Sequence, residues 1–144
     1  MSFAYTRAKR NILKGDIDFD VNTFKVALVM TNTTADTEED TATLSAFGTL
    51  DEMDGANYSR KTVTSQAVSE DDPNNRAEFT FDPITWTALG DGTRAVAGAV
   101  LFRFITNDSD SVPIAYINSG GFPVSPGGLN FTFTPNAEGV LQLS

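Results

Sequence analysis

Short hydrophobic runs that end at turn-forming residues dominate the chain from residue 25 onward. RAEFTF (76–81) and RAVAGAVLFRF (94–104) place apolar residues at alternate positions, whereas KVALVMT (25–31) is apolar on both faces and predicts a central strand. Similar runs are YSRKTVTSQAV (58–68), DPITW (82–86), VPIAYIN (112–118), LNFTFT (129–134) and GVLQLS (139–144). Turns every 8 to 12 residues or so are typical of all-β proteins. The pattern predicts a single antiparallel β-sandwich or barrel of about seven to eight strands.

The segments between these runs predict several connections. DDPNN (71–75), GDG (90–92) and TNDSDS (106–111) have the composition of turns, because Asp, Asn and Gly favour turn geometry. The last two runs flank PNAEG (135–139) and predict a terminal hairpin. SGGFPVSPGG (119–128) is a long loop, and loops of this composition lie at the surface and often make contacts.

The first 15 residues have a different pattern. Their apolar positions approximate one helix face, and Gly15 is a typical residue at a helix end. We therefore predict a basic N-terminal arm or helix over residues 1–15, followed by a single β-domain over residues 16–144. A second, short helix is predicted near Leu44, Phe47 and Leu50, closed by Asp54 and Gly55.

Alternation along the runs also predicts the core. Apolar residues at alternate positions of a strand share one face, and that face is the one expected to be buried. The residues predicted to be largely buried are Val26, Leu28, Phe79, Phe81, Val100, Phe102, Ile114, Tyr116, Phe131 and Phe133.

Composition removes whole classes of function. The 144 residues include no Cys and no His, which excludes Cys or His zinc sites, thiol nucleophiles, histidine acid–base catalysis and disulfide scaffolds. No Ser-x-x-Lys pattern is present, and SGGFPVSPGG lacks the Lys and the following helix of a phosphate loop. A carboxylate pair of the glycosidase type is not excluded by counting, but no pair stands out among the 19 acidic residues. We predict neither enzymatic activity nor a cofactor.

Charge is distributed unevenly. The chain has a net charge of −9, yet the basic residues Arg7, Lys9, Arg10 and Lys14 lie in a first segment without any acid. The acidic remainder repels phosphate backbones and disfavours nucleic-acid binding. No apolar run reaches the roughly 20 residues of a membrane helix, and no signal peptide is recognised, so synthesis in a cytoplasm is expected. A basic arm on an acidic body predicts a docking segment for an acidic protein surface, including another copy of the chain. The alternative is a solvated helix.

Three aspartates at alternate positions, in GDIDFD (15–20), raise the question of a metal site. On an extended strand Asp16, Asp18 and Asp20 would share a solvent face, while Ile17, Phe19 and Val21 line the opposite face. A calcium loop of the EF-hand type instead needs Gly at its sixth position and Glu at its twelfth, where this chain has Val21 and Ala27. SEDDPNN (69–75) and TNDSDS read as turns. We predict a half-buried strand and no metal site.

Four segments carry a resemblance to a known group. They are GDIDFDVNTFKVALVMT (15–31), DDPNNRAEFTFDPITWT (71–87), AVLFRFITNDSDSVPIAYINSGG (99–121) and LNFTFTPNAEGVLQLS (129–144). Together they resemble small β-proteins encoded among the head and tail genes of tailed bacteriophages. In that group an L(D/N)xDxxxFKVAL start is followed by NRAxFDxxDVxW, a late LIAYIDFG strand and a terminal hairpin ending in G-(I/V)-L-x-L. This chain has a longer loop where many members have a shorter FGG turn.

The resemblance implies a virion structural protein, above all a capsid decoration (cement) protein on the exterior of the major capsid protein lattice, made in the bacterial cytoplasm. Expected partners are the major capsid protein, sister copies in a homo-oligomer, or both, without membrane or nucleic acid. The alternatives are another head-fibre or tail component, or a carbohydrate- or receptor-binding β-sandwich. The residues expected to contact partners are Phe3, Tyr5, Arg7, Lys9, Arg10 and Lys14 in the arm, with Phe122, Pro123 and Val124 in the loop.

Overall fold

The computed structural model describes residues 2–144, and strands make up most of its regular structure. The elements are β1 (Phe3–Ala4), α1 (Thr6–Lys14), β2 (Phe24–Met30), β3 (Lys61–Thr62), β4 (Ala67–Asp71), β5 (Arg76–Thr80), β6 (Ile84–Leu89), β7 (Val96–Arg103), β8 (Val112–Ile117), β9 (Leu129–Phe133) and β10 (Leu141–Leu143). Two single-turn 3-10 helices, Leu44–Ala46 and Asp72–Asn74, lie between strands. Within residues 2–144, no helix is long and apolar enough to cross a membrane.

Three antiparallel sheets form the fold. The largest has the order β1-β8-β7-β2-β3, a second has the order β10-β5-β4, and β6 pairs with β9 in the third. The sheets do not close into a barrel, so the predicted all-β class is confirmed in its sandwich form. The described chain contains ten strands. The prediction was seven to eight because β1 and β3, with two residues each, are too short to show a period.

The central strands of the five-stranded sheet are apolar on both faces, as predicted for KVALVMT. β2 is buried along nearly its whole length between β7 and β3, and β8 is buried at every position. β7 and β8 approach closely at Gly98, where a Cβ would lie 2.7 Å from the Tyr116 hydroxyl and 2.8 Å from the Ile117 carbonyl oxygen. Any side chain at position 98 would therefore separate the two strands.

Aromatic side chains join the sheets. The ring of Phe24 in β2 lies 5.4 Å from that of Phe79 in β5, and Phe19 stacks on Phe24 at 5.2 Å. Trp86 in β6 is fully buried and lies 5.9 Å from Phe131 in β9. Nine of the ten predicted core residues are buried, and Phe131 alone is half-buried. The aromatic core is therefore confirmed.

The predicted terminal hairpin is wrong. β9 pairs with β6, whereas β10 pairs with β5, with Leu141 opposite Phe79. The PNAEG segment thus crosses from one sheet to another. Alternation identifies both strands correctly, but it does not select the partner, because either pairing would bury the same apolar positions.

The aspartate segment also differs from its prediction. Residues 16–23 form no strand, and the Asp18 carboxylate accepts hydrogen bonds from the backbone N–H groups of Asp20 (3.0 Å) and Val21 (3.2 Å). The Asn22 side chain accepts a further bond from the Asp18 N–H (2.9 Å). Val21 is 76% exposed. Short polar side chains that bond the local backbone compete with strand pairing, and here they produce a turn.

Two other boundaries were placed incorrectly. The 58–68 run forms two strands, because β3 pairs with β2 while β4 pairs with β5, and Ser65 between them has a positive φ of 53°. The inserted helix is a single 3-10 turn that ends at Ala46, well before Asp54 and Gly55. Leu44 and Phe47 are nevertheless buried, so the apolar residues that suggested the helix do face the core.

Candidate functional site

The N-terminal segment is attached to the large sheet at two points. β1 pairs with β8, with Phe3 opposite Tyr116, and the Tyr5 N–H donates to the Ile114 carbonyl oxygen at 2.9 Å. α1 then begins at Thr6, whose N–H donates to the Glu39 carbonyl oxygen at 2.8 Å. The helix packs on β8. It is therefore held by the fold and does not extend away from the β-domain as an arm.

Tyr5 is the one predicted contact residue that the structure places wholly inside. Its side chain is fully buried, and its hydroxyl donates to the Ala35 carbonyl oxygen at 2.6 Å. Burial, reinforced by the nearby Tyr116 and Asp36, raises the pKa of Tyr5 far above its usual value. In the isolated chain Tyr5 is therefore a core residue with no exposed surface to offer a partner.

α1 has one buried and one exposed face. Ala8 and Asn11 are buried, and Ile12 is packed against the core. Lys9, Arg10 and Leu13 are exposed, and Leu13 is exposed to 90%, the highest value among the large hydrophobic residues that the structure describes. Leu13 follows Arg10 by three positions and Lys9 by four, so the three side chains are neighbours on the helix surface.

The cations of α1 differ in their partners. Lys14 forms a salt bridge with Asp16 at 3.1 Å, and its place in the last turn suits the negative end of the helix dipole. Within residues 2–144, Arg7, Lys9 and Arg10 form no salt bridge. Arg7 is half-buried, whereas Lys9 and Arg10 are exposed. The outer face of α1, defined here as Lys9, Arg10 and Leu13, thus combines free positive charge with an exposed apolar side chain.

The second predicted contact region, the loop over residues 119–128, is anchored to the sheet. Val124 and Val96 exchange two backbone hydrogen bonds of 2.8 and 2.9 Å, and the ring of Phe122 lies 5.8 Å from that of Phe131. Phe122 and Val124 are half-buried, and Pro123 is exposed. The loop therefore presents less apolar surface than its sequence suggests, and the outer face of α1 is the stronger candidate.

A cluster that sequence reasoning missed surrounds Arg60. Its Nε and Nη2 donate to the two carboxylate oxygens of Glu52 at 2.8 and 2.6 Å, and Nη2 also donates to Asp108 at 2.9 Å. The Tyr58 hydroxyl donates to Glu52 at 2.7 Å and accepts from the Leu28 N–H at 3.1 Å. The hydrogen bonds that Arg60 donates to Asp108 and Glu52 raise the pKa of Arg60, and the bond from Arg60 lowers the pKa of Asp108. No signal in the sequence connects these distant positions.

This Arg60 cluster is a structural network. Every polar atom described above has a partner, and no buried side-chain nitrogen or oxygen of residues 2–144 lacks a hydrogen bond. Burial, followed by the charge of Glu52, raises the pKa of Tyr58 far above its usual value, so the phenol stays protonated. The polar groups of the Arg60 cluster are therefore bonded to one another and to the backbone.

The acidic turns are likewise occupied by local bonds. Asp110 accepts from the N–H groups of Thr106 and Asn107 at 2.9 and 3.0 Å, and Asp71 bonds Asn74 and Arg76. The bonds from the backbone N–H groups of Asn107 and, second, of Thr106 lower the pKa of Asp110. Across residues 2–144, no group of three or more acidic side chains is arranged to hold a metal ion.

Two adjoining hollows of about 270 and 310 Å³ lie beside the segment of residues 136–140, and the second of them lies between the edge strands β1 and β10. The side chains of Ser2, Asn136 and Val140 line both, and neither hollow includes an acidic or basic residue. The first hollow offers the hydroxyls of Ser2, Ser119 and Thr134, but no charged side chain that could serve as their general base lines it. No family model, curated protein or solved structure matches the chain.

Proposed function

We propose that this chain is a non-enzymatic structural protein of a tailed-phage virion, of the capsid decoration type, which binds the major capsid protein lattice through the outer face of α1. A protein that decorates the capsid exterior needs an exposed binding surface but no catalytic group. The resemblance in the strand and turn segments supports the class of protein. The exposure and charge of the α1 side chains support the choice of binding surface.

The observation that carries the proposal is the exposure of Leu13 beside two cations, Lys9 and Arg10, that form no salt bridge within residues 2–144. A leucine exposed to 90% on a helix whose first N–H is bonded to the Glu39 carbonyl oxygen gains nothing for the isolated chain. Burying such a side chain at an interface contributes about 1.5–3 kcal/mol. Lys9 and Arg10 beside it would accelerate encounter with an acidic surface and fix its orientation.

The aromatic residues favour assembly over carbohydrate binding. A sugar-binding face presents exposed Trp and Tyr rings. In this chain Tyr5, Trp86 and Tyr116 are buried, and Tyr58 is half-buried with its hydroxyl bonded to Glu52. The side chains that would stack on a sugar are used in the core, so the carbohydrate-binding alternative has no surface that supports it.

The test is binding to empty capsids of the phage that encodes the chain, prepared without this protein. The purified chain should co-sediment with such capsids and saturate at a fixed ratio. Substituting Lys9→Ala and Arg10→Ala together, or Leu13→Ser alone, should weaken binding about tenfold or more, because either change removes a central part of the contact.

A charge-matched variant controls for long-range repulsion. Thr62→Glu with Thr87→Glu lowers the net charge by two, as does the double alanine variant, but both threonines are exposed on strands away from α1. We expect this control to bind as the wild type does. Equal loss in both double variants would assign the effect to net charge, and capsid binding that survives all the α1 substitutions would overturn the proposal.

A further inference from the structure

The second hollow is a slot between the free edges of two sheets. β1 is an outermost strand of the five-stranded sheet, and β10 is an outermost strand of the three-stranded sheet. Residues 2–4 and residues 140–142 both line this hollow. Within residues 2–144, β1 pairs only with β8, and β10 pairs only with β5. Each strand therefore has one edge whose outward-facing backbone N–H and C=O groups are not used by its sheet.

The opposite edges of the same two sheets carry charge, whereas these two do not. β3, the other edge of the five-stranded sheet, contains Lys61, and β4, the other edge of the three-stranded sheet, contains Glu70 and Asp71. Charged side chains on an edge strand discourage the addition of further strands. β1 and β10 contain neither a charged residue nor a proline. The two edges beside the hollow thus lack the groups that would oppose strand addition.

The spacing of a β-sandwich suits the insertion of one strand. Stacked sheets lie about 10 Å apart and paired strands about 4.7–4.9 Å apart, so one strand between two sheet edges can reach both. At about 310 Å³, the second hollow is at the lower end of the roughly 300–1,000 Å³ that ligand sites occupy. The adjoining hollow of about 270 Å³ extends this space. Together they provide room for a short extended segment.

The lining of the first hollow indicates the chemistry of that segment. Ile117, Phe133 and Val140 form its apolar part, and the hydroxyls of Ser119 and Thr134 supply polar groups. No acidic or basic side chain of residues 2–144 lines either hollow. An ionised side chain would lose hydration there without gaining an opposite charge. Successive side chains of a strand point to opposite sides, so the segment should be uncharged and apolar at alternate positions.

We infer that the slot between β1 and β10 binds an extended, uncharged segment of another protein by strand addition. Backbone hydrogen bonds to the two edges hold the segment, and its alternate apolar side chains enter the first hollow. A second folded copy is not the donor, because a strand that already belongs to a sheet brings neighbouring strands that would collide with the far side of the slot. The inference goes beyond the proposed function, since no residue of α1 lines either hollow.

Nuclear magnetic resonance titration of the full chain with short peptides provides the test. The probes are acetylated and amidated peptides of about seven residues, in which threonine alternates with alanine, valine, leucine or phenylalanine. At least one should bind and slow amide hydrogen exchange in β1 and β10 about tenfold or more, with β3 and β4 unchanged. The control is the same peptide with every second backbone nitrogen methylated, which blocks pairing along one edge and keeps the side chains. It should bind about tenfold more weakly.

Two lysine substitutions separate this site from non-specific peptide binding. Gln142→Lys places a charge at the second hollow, and Ser69→Lys places the same charge on β4, at the opposite edge of the same sheet. Both positions are exposed, so both variants should melt as the wild type does. Gln142→Lys should weaken peptide binding about tenfold or more, and Ser69→Lys should leave it unchanged. Ser2→Lys, which places the charge beside β1, replaces Gln142→Lys if that variant unfolds.

Several outcomes would contradict strand addition at this slot. The inference is overturned if no peptide of the panel binds at millimolar concentration, if the methylated peptide binds equally well, or if both lysine variants lose binding to the same extent. It is also overturned if the wild type self-associates and Gln142→Lys abolishes the self-association, because the occupant would then be a second copy. Capsid binding through α1 is measured separately, and none of these outcomes changes it.

Discussion

The cations of this protein are used in two different ways, which are best seen by comparing Arg60 with Lys9 and Arg10. Arg60 donates hydrogen bonds to Glu52 and Asp108, and its side chain is 24% exposed. Lys9 and Arg10 are exposed and form no salt bridge within residues 2–144. The same class of side chain thus holds segments of the fold together in one place and is left available in the other.

The difference separates stability from interaction. Removing one partner from a shielded, bidentate network leaves opposite charges uncompensated, which is costly. Removing an exposed cation without a partner changes the folded state little. The comparison therefore predicts that Arg60 controls the free energy of unfolding and that the outer face of α1 controls association.

Arg60→Met should produce the largest change in stability. The substitution leaves the carboxylates of Glu52 and Asp108 without their cation, and we expect the free energy of unfolding to fall by about 2–3 kcal/mol. Urea denaturation followed by tryptophan fluorescence measures this, since the single Trp86 is buried and its Nε1 donates to the Ser59 carbonyl oxygen.

Arg94→Met is the matched control for this substitution. Arg94 approaches Asp51 at 3.5 Å and its side chain is 40% exposed, so its ion pair should contribute less than about 0.5 kcal/mol. If both substitutions had the same small effect, the Arg60 cluster would not stabilise the fold and the comparison would fail.

Sequence reasoning succeeded where the signal is periodic and local. The β2 run is apolar on both faces and is central in the sheet, and nine predicted core positions are buried. It failed where pairing between distant segments decides the outcome, as with β9 and β10, which join β6 and β5 and not each other. A period of two determines which face of a strand is buried, but the partner depends on long-range contacts that no local pattern records.

The candidate site shows the same limit. The charge of Lys9 and Arg10 and the helix that carries them were predictable from the sequence. The burial of Tyr5 was not predictable, because it depends on a residue thirty positions away. The Tyr5 hydroxyl donates a hydrogen bond to the carbonyl oxygen of Ala35. Nor could sequence place the acidic loop of residues 36–40 at the helix start, since one backbone bond between Thr6 and Glu39 determines that position.

Acidic pH should reduce the stabilisation that the Arg60 cluster contributes to the fold. The bond from Arg60 lowers the pKa of Asp108 in the folded chain. A lowered folded pKa means that the stabilisation is fully present above the unfolded value, near 4, and is lost as the pH falls through the folded value. Because the Asp108 side chain is 42% exposed, the contribution should be about 1 kcal/mol or less.

Asp108→Asn isolates this contribution from those of other acids. The variant should be less stable than the wild type at pH 7, and the difference between the two should shrink as the pH falls below about 4. Urea denaturation at several pH values measures the difference directly. A difference that stays constant between neutral and acidic pH would show that the charge of Asp108 is not what stabilises the cluster.

The smallest effect on stability is expected for Lys9→Ala with Arg10→Ala. Both side chains are exposed on the outer face of α1, and alanine is the most favourable residue for a helix, so the free energy of unfolding should change by less than about 0.5 kcal/mol. Urea denaturation of this variant beside Arg60→Met makes the comparison quantitative. A loss above about 1 kcal/mol would show that these cations bind the chain's own acidic body, and they would then not be free for a partner.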